Sequence, residues 1–384
     1  MSNHYDIIVA GVGSMGAATC FHLAKRGHRV LGIDRFSVPH NRGSHHGSTR
    51  MIRQAYFEDP AYVPLLRRAY QLWHDLESES GEKLLHLTGG LYIGSPGGTI
   101  VPGSLAAAKL HGLPHELLGA TSLSERFPWF RLPENAAAFY EPAAGFLLPE
   151  LAVATHTRLA RKHGATILEN QPVLSHTTSP PGITVTTPSG THHAAHLVVT
   201  AGAWASQLLA TAGTPLTTTR QLLAWFDPNT PTFEFGSGFP CWFIETQSPF
   251  GHYGFPALSA SQTGLKIAQH KPGTPIEPGD LAAPQHTPQP AETDALKNVL
   301  EKHIPDAAGP LLDTRTCLYT NSPDGHFILG PHPAQPNTTI ATGFSGHGFK
   351  FASVIGETLA DLATAQPAPL LPEKLFSPTR FTST

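Results

Sequence analysis

The chain has 384 residues, a formal charge of -3 with both signs interspersed, and 40% apolar residues. That length holds a substantial core and suits two structural units, or one domain with a large insertion. The near-neutral charge without a long basic run argues against nucleic acid or an anionic membrane as partner. Three cysteines are too few, and odd in number, for a disulfide framework. No apolar run is long enough to span a bilayer. The expected setting is the cytoplasm, and the expected partners are small molecules. Charged residues are sparse at 14%, beside 36 glycines and 36 prolines, so turns and loops should be abundant.

The opening reads YDIIVAGVGSMGAATCFHLAKRGHRVLGIDRF. Asp6 to Ala10 is a short apolar run suited to a strand buried on both faces. Gly11, Gly13 and Gly16 follow in G-x-G-x-x-G spacing, then a helical pattern from Ala17 to Arg26 ending at Gly27, and a second strand from Val30 to Ile33 ending at Asp34. Gly11 permits the tight turn, Gly13 the approach of a pyrophosphate, and Gly16 close packing of helix on strand. The helix N-terminus offers N–H groups and partial positive charge to phosphates, and Asp34 can accept from a ribose diol. This unit predicts dinucleotide binding and leaves FAD and NAD both open.

Residues 39–53, PHNRGSHHGSTRMIR, form a polar loop that needs a polar ligand or solvent to satisfy it. A helix is predicted from Tyr62 to Leu76, a strand in GGLYIGS near 90, a helix over 150–163 and a strand in ATILEN. Pro188, Ser189 and Gly190 signal a hairpin, and the strand Leu197 to Thr200 runs into Ala201, Gly202, Ala203 and Trp204. That is a second glycine-bearing strand end that can meet a cofactor. Residues 215–310 are richer in strand patterns (LLAWF, CWFIET, HYGFP, LKIAQH), with a proline-rich stretch at 272–291 expected on the surface and a helix from Glu292 to His303. A strand at Thr339 to Thr342 leads into GFSGHGFKF and an amphipathic helix through Ala363. Backbone N–H groups at that last junction can face an anion.

Cys317 lies in TRTCLYTNSPDGHF and is either a small buried hydrophobe or a reagent, while Cys20 and Cys241 read as packing. Taken in order, SHHGSTRMIR, YGFP, GLKIAQH, TCLYTNSPDGHF and GFSGHGFKF resemble the monomeric sarcosine oxidase and N-methyltryptophan oxidase family over nearly the whole chain. The resemblance implies an α/β (α+β overall) protein in which a Rossmann-like FAD-binding domain interleaves with a sheet-rich substrate domain. The expected division is 1–90, 150–214 and 311–384 for FAD, and 91–149 and 215–310 for substrate. It implies a monomer that binds FAD and oxidises the secondary amine of an N-alkyl or cyclic amino acid, with O2 reduced to hydrogen peroxide.

Residue by residue, the resemblance makes Cys317 the covalent anchor of FAD, Arg53 and Lys350 the cations that bind the substrate carboxylate, and Lys266 the group that activates oxygen. Arg50 and His46 match positions near the flavin; His270, Tyr253 and Tyr319 match the substrate lining. Gly11, Gly13, Ser14, Met15, Gly16, Asp34, Arg35, Ser44, His45 and Thr49, with Gly343, Gly346, Gly348, Phe349 and Lys350, are the expected cofactor contacts. No metal is expected. Ser48 departs from a usual aspartate, Ala268 and Gln269 from a glycine-containing pair, and Phe243 is bulkier than its counterparts, which favours a compact amine. Two alternatives remain at this level: a dehydrogenase with another electron acceptor, and a non-catalytic flavin-bearing subunit that binds an amino acid.

Overall fold

The opening motif folds as the strand His4–Ala10, the helix Ser14–Lys25 and the strand Val30–Ile33 in the computed structural model, which describes residues 4–133, 135–179, 182–209, 213, 215–228, 230–258 and 264–381. Both strands lie inside a parallel array whose order is Thr166–Leu168, Val30–Ile33, His4–Ala10, Gly190–Val199 and Thr338–Thr342. Alternation explains the apolar runs. Ile7 and Val9 pack with Cys20, Leu23, Leu159 and Ile355 from the helices Ser14–Lys25, Pro149–Lys162 and Ala352–Ala363 on one face. Ile8 and Ala10 pack with Ile183 and Val185 on the other. A parallel sheet covered on both sides has no polar face, which is why Ile7–Ala10 and Val30–Ile33 are apolar without alternation.

The hairpin expected at 188–190 forms between Gly182–Thr187 and Gly190–Val199. Its second strand continues into what the sequence suggests as a separate strand near Leu197. Along one edge its first half pairs with Gly182–Thr187 and its second with Thr338–Thr342, while His4–Ala10 runs along the other edge.

A second sheet has nine strands. Thr217–Phe226 is flanked by Leu265–His270, and beyond it run Phe250–Phe255, Cys241–Gln247, Gly90–Gly94, Ala137–Glu141 and Glu116–Leu118. On its other edge Thr217–Phe226 pairs with Leu311–Asn321, which sets Cys317 opposite Gln221 and Tyr319 opposite Thr219. Residues from 311 onward therefore do not all run with the nucleotide-binding segments, because this strand is hydrogen-bonded into the second sheet. A small sheet of Arg50–Ile52, Gly145–Leu147 and Leu85–Leu87 anchors the end of the polar loop.

Two features go beyond the sequence reading. Ile100–His111 is a helix despite Pro102 and Gly103. A proline in the first turn gives up an N–H that has no intrahelical partner, and a Cβ on Gly103 would sit 2.9 Å from the Cβ of Phe57. The proline-rich stretch is not simply a surface excursion. It buries Ile276 and Leu281 against Ala203 and Leu318, and its His286 carbonyl accepts from Arg220 at 2.7 Å. Among the described residues no helix is long and apolar enough to cross a membrane.

Candidate active site

A cavity of about 350 Å³ opens at the carboxyl ends of the parallel strands, where Ala10, Ile33, Thr200 and Thr342 reach its wall. That is where open α/β sheets bind ligands. Gly11 has φ 98°, and a Cβ there would lie 2.6 Å from the Thr200 carbonyl oxygen, so only glycine brings the turn this close. The helix that follows starts at Gly13 with no side-chain cap and no acidic residue in its first turn. Its free N–H groups and positive end are thus left to an anion beside Ser14 and Met15, which line the cavity.

Asp34 also faces the cavity, and its carboxylate accepts from the N–H of Val12 at 2.7 Å and of Phe36 at 2.9 Å. Burial raises its pKa to about 6 against the pull of those two bonds. Asp34 thereby holds the glycine turn in shape and keeps lone pairs for a ribose. Beyond it the Arg35 guanidinium lies 5.7 Å from the Trp204 ring. Gly16 does not reach the cavity; a Cβ there would fall 2.7 Å from Thr200 Oγ1, which makes it the close helix-to-strand contact.

The histidine-rich loop forms the middle wall. Arg50 ties it together by donating to the carbonyls of Thr49 at 2.8 Å, Ser44 at 2.8 Å and His46 at 2.5 Å. Lys266 approaches from the second sheet and donates to the carbonyls of Gly47 at 2.6 Å and Thr49 at 2.9 Å. Burial, reinforced by Arg50, lowers its pKa well below that of an ordinary lysine. Glu150, at the start of the helix Pro149–Lys162, accepts from the N–H of Gly47 at 2.6 Å and of Ser48 at 3.1 Å. Ser48 sits at φ 71°, a left-handed position that these bonds hold. Ser44 Oγ donates to the Leu318 carbonyl at 2.5 Å, and His45 Nε2 accepts from the His40 N–H at 3.4 Å.

His46 is 4% exposed, yet neither ring nitrogen has a partner. Burial, then Arg50 and Lys266, push its pKa down to about 3, so it is neutral. It lines not the first cavity but a neighbouring cleft beside Pro39, Glu150 and Arg315. The uncapped helix, the glycine turn and Asp34 around the first cavity fit FAD. Cys317 is 1% exposed and packed among Leu223, Trp225, Ala268 and Tyr319. It does not itself line the cavity, whose wall takes Leu318, Tyr319 and Thr320 from the same strand. Burial raises its thiol pKa, while Arg50, Lys266 and Arg220 oppose the rise.

A smaller chamber of about 70 Å³ shares Arg50, Tyr319, Gly346 and Phe349 with the first cavity. Its charged end is Arg53, 4% exposed, whose guanidinium lies 4.2 Å from the Tyr56 ring and 4.3 Å from the Phe57 ring. Arg53 Nη2 donates to both oxygens of Glu58, at 2.8 and 2.7 Å, and Nη1 to the Ala55 carbonyl at 2.9 Å. Burial acts to raise the Glu58 pKa, but Arg53, His347 and Lys350 hold it below the ordinary value. Lys350 donates to the His347 carbonyl at 2.7 Å; burial and then Arg53 lower its pKa to about 7.

His270 stands 6.4 Å from the Tyr253 ring and 6.0 Å from the Tyr319 ring, and burial lowers its pKa to about 4. The turn from Gly343 (φ 64°) through Gly346 (φ 79°) closes on this wall, since a Cβ on Gly346 would fall 2.5 Å from Tyr319 Cδ2. Gly348 and Phe349 border the larger cavity. The structure thus gathers Arg50, Arg53, Tyr253, His270, Tyr319 and Lys350 at one chamber and sets Thr49 and His46 in the adjoining loop, with Lys266 reaching that loop from the second sheet.

Several contributors escape the sequence. Glu58 follows Arg53 by five residues with no periodic signal, and Glu150 reads only as a helix start. Tyr56 and His347 form a pair 2.6 Å apart, in which His347 Nε2 faces the Gly325 carbonyl at 2.9 Å and so leaves Nδ1 to accept from Tyr56. Thr200 and Trp204 belong to the second glycine-bearing strand end, where AGAW was the legible signal.

A model of the DAO family, described as FAD dependent oxidoreductase, matches residues 6–362, and the chain belongs to that family of flavin enzymes. It is 41% identical to a monomeric sarcosine oxidase of Streptomyces avermitilis over 99% of this chain and 98% of the relative. It is 37% identical to an N-methyl-L-tryptophan oxidase of Yersinia pestis over 95% of this chain and 96% of that one. Among solved structures it resembles a form of NikD, an unusual amino acid oxidase essential for nikkomycin biosynthesis, with TM-score 0.86 and 26% identity over 98% of both chains. It also resembles the L-proline dehydrogenase of P. horikoshii, with TM-score 0.83 and 25% identity over 99% of this chain and 98% of that one.

Proposed function

We propose that this enzyme oxidises the secondary amine of an N-methyl or cyclic amino acid and passes the electrons to O2, giving an imine and hydrogen peroxide. The observation that carries the reading is that Arg53 and Lys350 together line an aromatic chamber that shares Arg50, Tyr319, Gly346 and Phe349 with the cofactor cavity. A planar guanidinium suits a carboxylate, and relatives sharing about two-fifths of the sequence are named for sarcosine and N-methyltryptophan.

FAD supplies the two-electron chemistry; the chain binds, orients and tunes. Arg53 and Lys350 hold the carboxylate, and Tyr253, His270 and Tyr319 enclose the amine. Exclusion of water there favours the neutral amine, the form with a lone pair to donate. No carboxylate in the chamber other than Glu58 could take its proton, and Glu58 is held ionised by Arg53. Lys266 keeps an amino group at the loop beside the cofactor, where a cation would stabilise charge developing on reduced oxygen.

The covalent link to FAD is assigned to Cys317. Attachment needs the thiolate, and Arg50, Lys266 and Arg220 are the cations that favour it. Residues 1–90, 150–214 and 311–384 would hold FAD, the last segment beginning with the strand that carries Cys317, and 91–149 and 215–310 would carry the substrate. Three free, buried cysteines support a reducing cytoplasm, and the relatives named monomeric sarcosine oxidase support a monomer. The likeness to an L-proline dehydrogenase supports a second reading, the same oxidation with an acceptor other than oxygen.

One experiment tests the first reading. Flavin absorbance is followed anaerobically while sarcosine, N-methyltryptophan, pipecolate and proline are added in turn, and air is then admitted. Bleaching by an amine and recovery in air with peroxide formation is the expected result. Bleaching without recovery in air selects the second reading, and no bleaching by any amine refutes both.

A further inference from the structure

We propose that Phe243 and Phe57 close the substrate chamber so that it accepts amino acids of sarcosine size and excludes those with an aromatic side chain. This rests on the amine oxidase reading above and sharpens its substrate class.

Room is the first argument. The chamber measures about 70 Å³, and a water-sized group needs roughly 10–15 Å³ on that measure. The chamber is far smaller than the cofactor cavity of about 350 Å³ and suits a compact amino acid. The indole of N-methyltryptophan would have to pass the rings of Phe243 and Phe57, which line it.

The walls are backed. Phe243 is 5% exposed, on a strand hydrogen-bonded on both sides, with Tyr253 and Tyr92 as its register partners. Its ring occupies space left by Gly251, where a Cβ would lie 2.6 Å from Phe243 Cε1. Ring centroids put Phe243 6.1 Å from Phe57 and 6.1 Å from His270, so it spans the chamber between the carboxylate end and the histidine. Phe57 lies on the Arg53 guanidinium at 4.3 Å and is backed by Gly103, whose Cβ position is 2.9 Å from the Phe57 Cβ. A carboxylate held at Arg53 therefore sets the substrate between the two rings, of which buried Phe243 cannot yield without repacking the core while Phe57 is half-buried.

The test uses the flavin-loaded enzyme and two pairs of ligands. Rates of flavin reduction are measured with sarcosine and with N-methyl-L-tryptophan for the wild type, Phe243→Ala and the milder Phe243→Leu, which guards against a fold lost to the cavity in the alanine variant. The non-oxidisable acids methoxyacetate and indole-3-acetate are titrated against flavin absorbance in parallel. The wild type should favour sarcosine by at least about 100-fold in kcat/KM, and a folded variant should narrow that ratio by at least about 10-fold through gain with the aromatic substrate. The binding ratio of the two acids should move the same way. A wild type that handles both amines alike, or a ratio unchanged in both variants, overturns the proposal. If no amine reduces the flavin, the amine oxidase reading fails, and the acids still decide the chamber: equal binding of indole-3-acetate and methoxyacetate overturns the size limit.

Discussion

Replacing Arg53 by lysine keeps the charge and removes the fork. In the wild type the guanidinium donates to both Glu58 oxygens and to the Ala55 carbonyl while flanked by two aromatic rings. A ligand carboxylate must share or displace Glu58, and a guanidinium can serve two acceptors in one plane where an ammonium is a point charge. Losing one charged hydrogen bond costs on the order of 1.5–3 kcal/mol, which is about 10- to 150-fold in Kd. The assay is spectral titration of the holoenzyme with methoxyacetate, with a neutral amide of the same size as control. Arg53→Lys should weaken the acid by that factor and leave the amide within about threefold. Because a cation still faces buried Glu58, the variant should avoid the larger penalty of an unpaired buried charge, and its Tm should stay near the wild-type value. An unchanged Kd for the acid would show that the carboxylate is not read at Arg53.

Other outcomes follow from the same geometry. Lys350, with a pKa near 7, is cationic below that value and neutral above it, so methoxyacetate should bind more weakly as pH rises from 6 to 8. Lys350→Met should flatten the profile, and an equal slope in the variant would assign the titration elsewhere. Lys266→Met should slow flavin reoxidation by oxygen by at least about 100-fold while reduction by substrate changes far less; equal slowing of both steps would remove its oxygen role. Cys317→Ala should let acid-denatured protein release its flavin into the supernatant, and flavin that stays with the precipitate would refute the anchor. Gly11→Val should abolish retention of FAD, since φ 98° and the Thr200 carbonyl leave no room for a side chain; a variant that purifies yellow would contradict the turn assigned there.

Local signals were legible where the backbone itself imposes residue types. G-x-G-x-x-G between two apolar runs specifies a strand, a turn and a helix, because positive φ, backbone approach and strand burial leave few alternatives. The ordered motifs from SHHGSTRMIR to GFSGHGFKF located the loop, the lysine strand, the cysteine strand and the glycine junction. Those were the determinations of the sequence by itself: a dinucleotide unit, its family, and the residue types expected to face cofactor and substrate.

Tertiary structure decided the rest. That Leu311–Asn321 joins the second sheet follows from pairing with Thr217–Phe226, strands about ninety residues apart whose register no local pattern encodes. That Glu58 already grips Arg53, that Glu150 holds the Gly47–Ser48 turn, and that Gly103 and Gly251 set the depth of Phe57 and Phe243 are properties of contact. The chain states which groups are present. The room left between two aromatic rings, and hence which amine can enter, exists only once two sheets and a helix are packed together, because volume and desolvation belong to the assembled fold.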